Sequence, residues 1–409
     1  YDNISQRTTV SDGSISQSSR QYFNAAGWLS KSVDDAGNEV NYHYFSDGKL
    51  HQTMLASQPG TLVTIAYNDR RQRTLLDDPN YGQKSATYNA FGEVLSQTNP
   101  KGQTETYIYD ILGRMTNRTD VTGTTTWIYN NSDNKKGTLA SVGMNGHTTS
   151  FEYDTKLRLT QETENIQGQP YTTQYNYDAL GRPLVVTHPS GFATKQVYNE
   201  LGYLVRIIDN QNAQLLYELK EMNALGQLTQ SYAGNGYTTY KSYHPLTYRL
   251  NTVVTSRPDK PVLQDMEYNW TSFGNLESRK KWLSRPGGIS LTESFGYDNL
   301  NRLDWIMLNG VETGKHTYDI SGLGNITYKK ADGTVLFAEA VYGGNDAGPH
   351  ALTSATTSPG IFPPAQQDIV YNAFDKVASI TEGDKSLQIT YGQHLQRIGQ
   401  QYTAAGSTT

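Results

Sequence analysis

The residue types that most often perform catalysis or bind metals occur in this chain, but not in a catalytic or metal-binding spacing. No histidine pair forms a pattern such as HExxH, and there is no GxSxG nucleophile elbow or phosphate-binding P-loop. The chain has no cysteine, which excludes thiol nucleophiles, disulfides and zinc–thiolate sites. We therefore interpret the histidines as strand and turn residues: His43, His51, His147, His188, His244, His316, His350 and His394.

Three weaker candidates remain. His350 lies in a predicted loop, but the sequence shows no partner for it. The many Asp and Asn residues suggest calcium, yet neither an EF-hand loop nor a β-roll repeat is present, and one such residue per turn is the simpler interpretation. The third candidate is a sugar-stacking platform formed by the tryptophans Trp28, Trp127, Trp270, Trp282 and Trp305. There is only one tryptophan per several repeats, which favours packing within a wall instead. We expect no metal, no cofactor and no enzymatic activity.

The residues discussed above lie within a sequence repeat. The chain reads YNAFGEVLSQTNPKGQTETYIYD from Tyr88, YDILGRMTNRTDVTGTTTWIYN from Tyr109 and YDALGRPLVVTHPSGFATKQVYN from Tyr177. These three segments share an aromatic anchor, then Asp or Asn, a glycine four residues after the anchor, an aliphatic residue, a strand-like run and a second glycine; the first glycine is present in eight units of the whole array. We place 18 anchors: Tyr1, Phe23, Tyr44, Tyr67, Tyr88, Tyr109, Tyr129, Tyr153, Tyr177, Tyr198, Met222, Tyr243, Tyr268, Tyr297, Tyr318, Tyr342, Tyr371 and Tyr391.

The chemistry of one unit predicts a β-hairpin. Asp or Asn can bond its own backbone in a turn, and glycine adopts a positive φ without steric cost, so each anchor ends a strand at a tight turn. The second glycine marks the opposite turn, as in Asn145-Gly146, Asn309-Gly310 and Asp332-Gly333. The residues that we assign to this structural repeat are Tyr88, Gly92, Tyr109, Asp110, Gly113, Tyr177, Asp178, Gly181, Tyr198, Gly202, Tyr297 and Tyr318.

The whole chain, 1–409, therefore reads as a single array of about 18 units cut from a longer protein. The longest irregular stretch, 343–364, is predicted to be a loop or a seam. The segment Leu215 to Ala224 has a helical composition, but it falls on an anchor and is interpreted as strand. The residue two before each anchor, such as Tyr107, is often bulky and is expected to share the anchor's face of the sheet.

The amino-acid composition favours a thin, tyrosine-rich β wall over a fold with an aliphatic core. Tyr outnumbers Phe 30 to 10, and there are 37 glycines. Leu, Ile, Val and Phe make up only about a fifth of the chain, which is near the lower limit for an ordinary core. We predict an all-β fold with fewer than about one residue in ten in helix. A net charge of −5 gives no footprint for nucleic acid, and no apolar run is long enough to span a membrane.

The Tyr-Asp-x-x-Gly-Arg unit at Tyr109 and Tyr177 resembles the YD repeat of the rearrangement-hotspot (Rhs) family, whose relatives include the shell subunits of bacterial Tc toxins and the animal teneurins. The resemblance extends over essentially all of the chain. It implies a β-ribbon that spirals into part of a hollow shell enclosing a linked C-terminal toxin or effector polypeptide until delivery. It also implies plug or cap segments, or a partner shell subunit, and a secreted or cell-surface location.

One feature of the family is missing. The self-cleaving segment of Rhs proteins carries Asp-Pro-x-Gly-Leu, whereas the only Asp-Pro of this chain, Asp78-Pro79, is followed by Asn80-Tyr81. We therefore expect the cleaving aspartates and the cargo to lie outside this sequence. The alternative function is a teneurin-like or wall-associated adhesion module that binds carbohydrate or a protein partner.

Overall fold

The structure, a computed structural model, describes residues 4–11, 16–132, 134–283, 288, 290–344, 347–358, 360, 367–372, 376–404 and 407–408. The described residues form 36 strands and one three-residue 3₁₀ helix at Pro59–Thr61. The predictions of an all-β fold and of very little helix are confirmed. The segment with helical composition is strand β20, because its anchor position places it in the hairpin repeat.

The strands follow the repeat closely. The first half of the chain contains β1 Ile4–Ser11, β2 Ser16–Phe23, β3 Leu29–Val33, β4 Glu39–Tyr44, β5 Leu50–Leu55, β6 Val63–Tyr67, β7 Arg73–Asp78, β8 Gly82–Tyr88, β9 Val94–Thr98, β10 Thr104–Tyr109, β11 Met115–Asp120, β12 Gly123–Tyr129, β13 Leu139–Met144, β14 His147–Tyr153, β15 Leu159–Ile166, β16 Gln169–Tyr177, β17 Pro183–Thr187 and β18 Ala193–Tyr198. The second half contains β19 Leu204–Asp209, β20 Leu215–Met222, β21 Leu228–Ala233, β22 Thr238–Tyr243, β23 Leu250–Ser256, β24 Gln264–Trp270, β25 Leu276–Trp282, β26 Ser290–Tyr297, β27 Leu303–Leu308, β28 Val311–Tyr318, β29 Ile326–Ala331, β30 Thr334–Gly344, β31 Ala347–Thr357, β32 Gln367–Tyr371, β33 Val377–Glu382, β34 Lys385–Tyr391, β35 Arg397–Ala404 and β36 Ser407–Thr408.

Within each of two sheets, every strand pairs antiparallel with the next strand along the chain. This meander gives an open sheet of 31 strands, β1 to β31, followed by a second sheet of five strands, β32 to β36. We call the result the ribbon. One of its edges carries the turns that follow the anchors, which we call the anchor edge. The other carries the second turn of each unit, which we call the glycine edge.

The ribbon turns back on itself, so that its two edges meet along a line that we call the seam. Gln17 and Asn301, which lie 284 residues apart, exchange two amide hydrogen bonds of 3.2 and 2.6 Å. Further along, the hydroxyl of Ser57 donates to the carbonyl of Ser321 at 3.1 Å, a separation of 264 residues. The amide nitrogen of His350 donates to Asn80 Oδ1 at 2.9 Å, 270 residues apart. The similar offset of these contacts defines one turn of a spiral.

The seam continues into the second sheet. The Lys101 ammonium lies 4.8 Å from the centre of the Tyr371 ring, and Gln393 Nε2 donates to Thr149 Oγ1 at 2.6 Å. In each contact, the glycine edge of the early units meets the anchor edge of units about one spiral turn later. The seam therefore holds the two sheets together although no strand pairing joins β31 to β32 among the described residues.

The wall is thin and open on both faces. The solvent-accessible surface is 24782 Å², whereas a compact globule of this mass would expose about 15,900 Å². The described residues include only five buried hydrophobic side chains: Val142, Met144, Ala193, Val253 and Ala340. A chain with so few core residues keeps its shape by edge contacts and strand pairing rather than by a central core.

The stretch predicted to be a loop or a seam, 343–364, is mainly paired strand in its described part, and His350 within it takes part in the seam. Strands β30 and β31 occupy it up to Gly344 and again from Ala347 to Thr357. Residues 348–351 form an irregular part of this strand pair where ladder bonds are missing, a position that tolerates proline. Residues 345–346, 359 and 361–364 of the stretch lie outside the described residues, as do Tyr1 and the end of the last unit. The assignment of 1–409 to a single array stays a prediction.

Candidate functional site

The candidate site is the joint between successive hairpins, and it begins with the Asp of the repeat. Asp110 Oδ1 accepts the amide hydrogens of Leu112 and Arg114 at 2.9 and 3.0 Å. The amide of Gly113 donates to the Asp110 carbonyl at 3.0 Å, and the Asp110 amide donates to the Arg114 carbonyl at 2.9 Å. Gly113 has φ 75°, which only glycine adopts freely, so the motif forms a tight turn with a bulge at Ile108/Tyr109.

In nine units the anchor hydroxyl links a hairpin to the one before it. Each of these hydroxyls donates to the carbonyl of the first residue of the preceding return strand, at 2.7 to 3.0 Å. The pairs are Tyr88 on Arg73, Tyr129 on Met115, Tyr177 on Leu159, Tyr198 on Pro183, Tyr243 on Leu228, Tyr297 on Leu276, Tyr318 on Leu303, Tyr342 on Ile326 and Tyr391 on Val377. Phenylalanine cannot make this bond, which explains the excess of tyrosine.

The arginine of the motif completes the joint. Arg114 Nε donates to Asp110 Oδ2 at 2.7 Å, and its guanidinium lies 4.2 Å from the centre of the Tyr129 ring in the next unit. The hydrogen bond from Arg114 lowers the pKa of Asp110. The same arrangement recurs at Asp154–Arg158–Tyr177, Asp178–Arg182–Tyr198 and Asp298–Arg302–Tyr318. We call this set of contacts the unit lock: an Asx turn, an arginine on the next ring and an anchor hydroxyl on a backbone carbonyl.

Units without Asp and Arg keep a matched pair. In three turns that begin with Asn, the residue four positions later is Gln or Glu, and the Asn amide donates to its side-chain oxygen. The pairs are Asn68 with Gln72, Asn89 with Glu93 and Asn223 with Gln227. Amide–amide or amide–carboxylate complementarity therefore replaces the ion pair.

The structure places the predicted repeat residues at these joints. Tyr88, Tyr177, Tyr198, Tyr297 and Tyr318 are hydroxyl donors of the lock, and Asp178 pairs with Arg182. Gly92, Gly181 and Gly202 have φ of 94°, 83° and 87° in the anchor turns. Tyr109 ends β10 and is half-buried; burial, with the nearby charge of Glu93, raises its pKa. The roles of these residues in function stay a prediction.

Sequence reasoning misplaced one anchor. In β24 the bulge falls at Asn269/Trp270, and Trp270 Nε1 donates to the Leu250 carbonyl at 2.8 Å. Trp270 is therefore the anchor of this unit and Tyr268 is not, because an indole N–H can replace the tyrosine hydroxyl. The glycine found four residues later, Gly274, was the available signal.

Glycine is also absent from some turns that keep the glycine conformation. Arg71, Leu157 and Asn301 have φ of 65°, 61° and 61°, in the left-handed region. The rest of the turn holds them there, since the Leu157 amide still donates to the Asp154 carbonyl at 3.0 Å. The turn geometry of the repeat is therefore kept in units whose sequence lacks the turn glycine.

The seam contains the most enclosed titratable group outside the joints. His147 is 1% exposed, and a Cβ added to Gly392 would lie 2.5 Å from its Nδ1. Neither ring nitrogen makes a hydrogen bond, and burial lowers the pKa of His147. The charged groups that face it are Glu164, 3.8 Å from its Nε2, and His394. Burial in the seam therefore favours the neutral imidazole, whereas the facing Glu164 carboxylate acts in the opposite direction.

The remaining candidates from the sequence are distributed over the wall. His350 belongs to the seam through its amide bond to Asn80, and its Nδ1 lies 2.7 Å from Asn325 Oδ1 of the neighbouring unit. Only Trp270 and Trp305 line a common cavity, of about 800 Å³, and the five tryptophans do not form one row. Across the described ranges, no cluster of three His, Asp or Glu side chains is arranged to hold a metal ion. No helix in the described part of the chain is long and apolar enough to cross a membrane.

Comparisons with known proteins agree with this geometry. The RHS Repeat family model matches residues 88–131. Toxin subunit YenC1 of Yersinia entomophaga is 28% identical over 164 residues, which are 36% of this chain and 16% of that protein. Toxin subunit YenC2 of the same organism is 26% identical over 148 residues, 32% of this chain and 15% of that protein. The chain thus spans about a sixth of the length of these relatives.

Solved structures share the fold over nearly the whole chain. The TcdB2-TccC3 crystal structure has a TM-score of 0.79 at 16% identity and covers 96% of this chain and 24% of that one. The Photorhabdus luminescens Tc holotoxin pore has a TM-score of 0.78 at 17% identity and covers 96% and 23%. The resemblance to Rhs and YD-repeat proteins, and to the shell of Tc toxins, is confirmed.

Proposed function

From the RHS repeats of this chain and its Tc toxin shell fold, we propose that it is a structural wall segment of a hollow shell that encloses a linked polypeptide. The observation that carries the proposal is the spiral: an open ribbon closes on itself at a seam and exposes far more surface than a compact protein of its mass. No catalytic step is part of the proposal, and the unit locks and the seam act by holding the wall together.

The dimensions support this function. One spiral turn contains about 24 strands, and at ~4.8 Å per strand the ribbon follows a path of roughly 115 Å. A circle of that circumference is about 37 Å wide. Side chains extend ~5 Å from each face of a sheet, which leaves a lumen of about 25 Å. A lumen of this width accepts an extended or partly folded polypeptide but not a large folded domain.

The relatives favour a toxin as the enclosed polypeptide. Both curated relatives are toxin subunits, and the solved structures contain TcdB2 and TccC3 together. By analogy, the cargo is a C-terminal toxin or effector segment of the same protein, and flanking cap segments or a partner shell subunit close the shell. The whole protein then acts outside the cell that makes it.

Protease protection tests the proposal. An unstructured reporter would be fused after Thr409 and its lifetime in protease compared with that of the free reporter. We expect the fused reporter to survive longer, and Gly392→Val, which places side-chain atoms against His147, to reduce this protection by opening the seam. If the fused reporter is cleaved as fast as the free one, the wall does not enclose it and the proposal is wrong.

A further inference from the structure

An Asn-Gly turn lies beside the buried part of the seam. Asn145 and Gly146 join β13 to β14 with φ of 52° and 80°, and both residues are exposed. The strands on either side carry Met144 and His147, which are 6% and 1% exposed. Asn145 also lines a cavity of about 150 Å³ together with Gly392 of the second sheet. The turn is therefore accessible to water and at the same time adjoins the seam.

The side chain of Asn145 is used as a hydrogen-bond donor. Its Nδ2 donates to the Thr122 carbonyl at 2.9 Å, which ties the turn to the preceding turn of the glycine edge. The contact is close, since a Cβ added to Gly123 would lie 2.6 Å from Asn145 Oδ1. Because a carbonyl oxygen only accepts hydrogen bonds, an amide at position 145 can make this bond and a carboxylate cannot.

A second Asn-Gly turn uses its side chain in the opposite sense. Asn309 and Gly310 join β27 to β28 with φ of 50° and 82°, nearly the same backbone as the first turn. Here Asn309 Oδ1 accepts the amide hydrogen of Thr292 at 2.9 Å. A carboxylate oxygen accepts the same hydrogen bond, so conversion of this amide to an acid keeps the contact. The chain thus contains two matched turns that differ in what the amide does.

We propose that Asn145-Gly146 is a deamidation site whose product loosens the seam. The backbone nitrogen of Gly146 loses its proton to a base and attacks Asn145 Cγ, so that a C–N bond forms and the bond from Cγ to Nδ2 breaks. The leaving nitrogen takes up the proton and departs as ammonia. Water then opens the cyclic imide at either carbonyl and gives aspartate or isoaspartate. Glycine favours the first step because it has no Cβ to hinder the attack.

Either product acts on the seam. A carboxylate at position 145 faces the Thr122 carbonyl oxygen without a donor and places a negative charge beside the buried Met144. Isoaspartate lengthens the backbone of the turn, and this turn sets the pairing of Met144 with His147. The inference concerns the lifetime of the closed wall and does not depend on what the shell encloses.

Ageing of the whole chain at mildly alkaline pH tests the reaction. Peptide mapping should show the mass gain of an acid in place of an amide at position 145, and hydrogen exchange of the aged chain should become faster in β14 and in residues 391–396 across the seam. Asn145→Gly keeps a Gly-Gly turn without a side-chain amide, so its exchange should not change with age. If position 145 stays an amide in the folded chain while a free peptide of the same sequence is converted, the inference is wrong.

The matched Asp variants test the consequence. Asn145→Asp should exchange about fivefold faster than the wild-type chain in β14 and residues 391–396, as expected for the loss of one hydrogen bond. Asn309→Asp should leave these segments unchanged. Wild-type exchange in Asn145→Asp, or an equal effect of the two variants, would overturn the proposal. Circular dichroism shows whether the variants fold; where Asn145→Asp does not, the converted and unconverted fractions of the aged wild-type chain give the same comparison.

Discussion

The hydroxyl group distinguishes tyrosine from phenylalanine, and in this chain that oxygen joins neighbouring hairpins. Tyr318 illustrates the joint: its hydroxyl donates to the Leu303 carbonyl at 2.9 Å, while Arg302 lies 4.2 Å from the centre of its ring. The ring supplies packing area to a wall with few aliphatic residues, and the hydroxyl fixes where the ring lies. The hydroxyl bond therefore explains why the repeat motif favours tyrosine over phenylalanine at the anchor.

Removing only the hydroxyl tests this account. Tyr318→Phe should lower the free energy of unfolding by about 1 kcal/mol, because the Leu303 carbonyl loses its partner. Tyr203→Phe is the control, since this ring is half exposed and does not belong to a lock. The measurement is the urea midpoint of each variant, and equal midpoints for both would show that the hydroxyl bond contributes nothing.

The left-handed leucine offers a second test. Leu157 has φ 61°, a conformation that costs a residue with a Cβ roughly 1–2 kcal/mol. Leu157→Gly should therefore raise the stability by about 1 kcal/mol. Leu180→Gly, in an ordinary position of the equivalent turn, should not, and thermal denaturation of the pair would detect the difference. Loss of stability in Leu157→Gly would mean that the leucine side chain contributes packing that outweighs the backbone strain.

At the scale of the element, the hairpin keeps its turn by pairing two side chains four residues apart. The chain itself uses two versions, Asp178 with Arg182 and Asn223 with Gln227. In each version the two side chains are complementary to each other, so a residue of the Asp–Arg pair is not expected to work with a residue of the Asn–Gln pair. Asn does not form an ion pair with Arg. A Gln amide replaces only one of the guanidinium contacts of Asp.

A double-mutant cycle measures this dependence. Asp178→Asn and Arg182→Gln should each lower the urea midpoint of unfolding, and the double variant should recover part of the loss. Strictly additive effects would show that the two side chains act independently. Because Arg182 also lies over the Tyr198 ring, recovery is not expected to be complete.

These elements also show what a sequence predicts well. Tyr109, Asp110 and Gly113 lie within five residues, so their pattern predicts both the hairpin and its turn. Gln17 and Asn301 are 284 residues apart and are both ordinary surface amides, so nothing local marks them as seam partners. Trp270 was missed for a related reason: the lock requires an N–H or O–H donor on a ring, and a pattern written for tyrosine excludes the indole.

At the scale of the molecule, the seam determines whether the ribbon is a spiral or an open band. Strand pairing alone links only consecutive strands, so the contacts that define a turn are few and mostly polar. His147, Thr149 and Gln393 are the buried side chains among them, and the His147 ring packs against Gly392. A charge on this ring would be enclosed where it is poorly solvated.

The seam should therefore weaken in acid. The pKa of His147 is lowered by burial, so its contribution is complete above the usual histidine value of about 6.5 and is lost as the pH falls through the lower folded-state pKa. Spin labels at Ser150→Cys and Asp384→Cys should report a longer or broader distance as the pH falls below that value. His147→Asn cannot titrate in this range and should remove the pH dependence. A distance that is the same at all pH values from 7 to 4 would contradict this.

The consecutive pairing of the strands has a mechanical consequence. A force applied to one end of the ribbon acts on one hairpin at a time, because each strand is bonded only to its neighbours in the chain. The ribbon would come apart in steps of one repeat, and each step would break one lock rather than the whole wall. Resistance to pulling would rise where the force reaches a residue of the seam, such as Gln393, since there the next step must also separate two parts of the chain 244 residues apart.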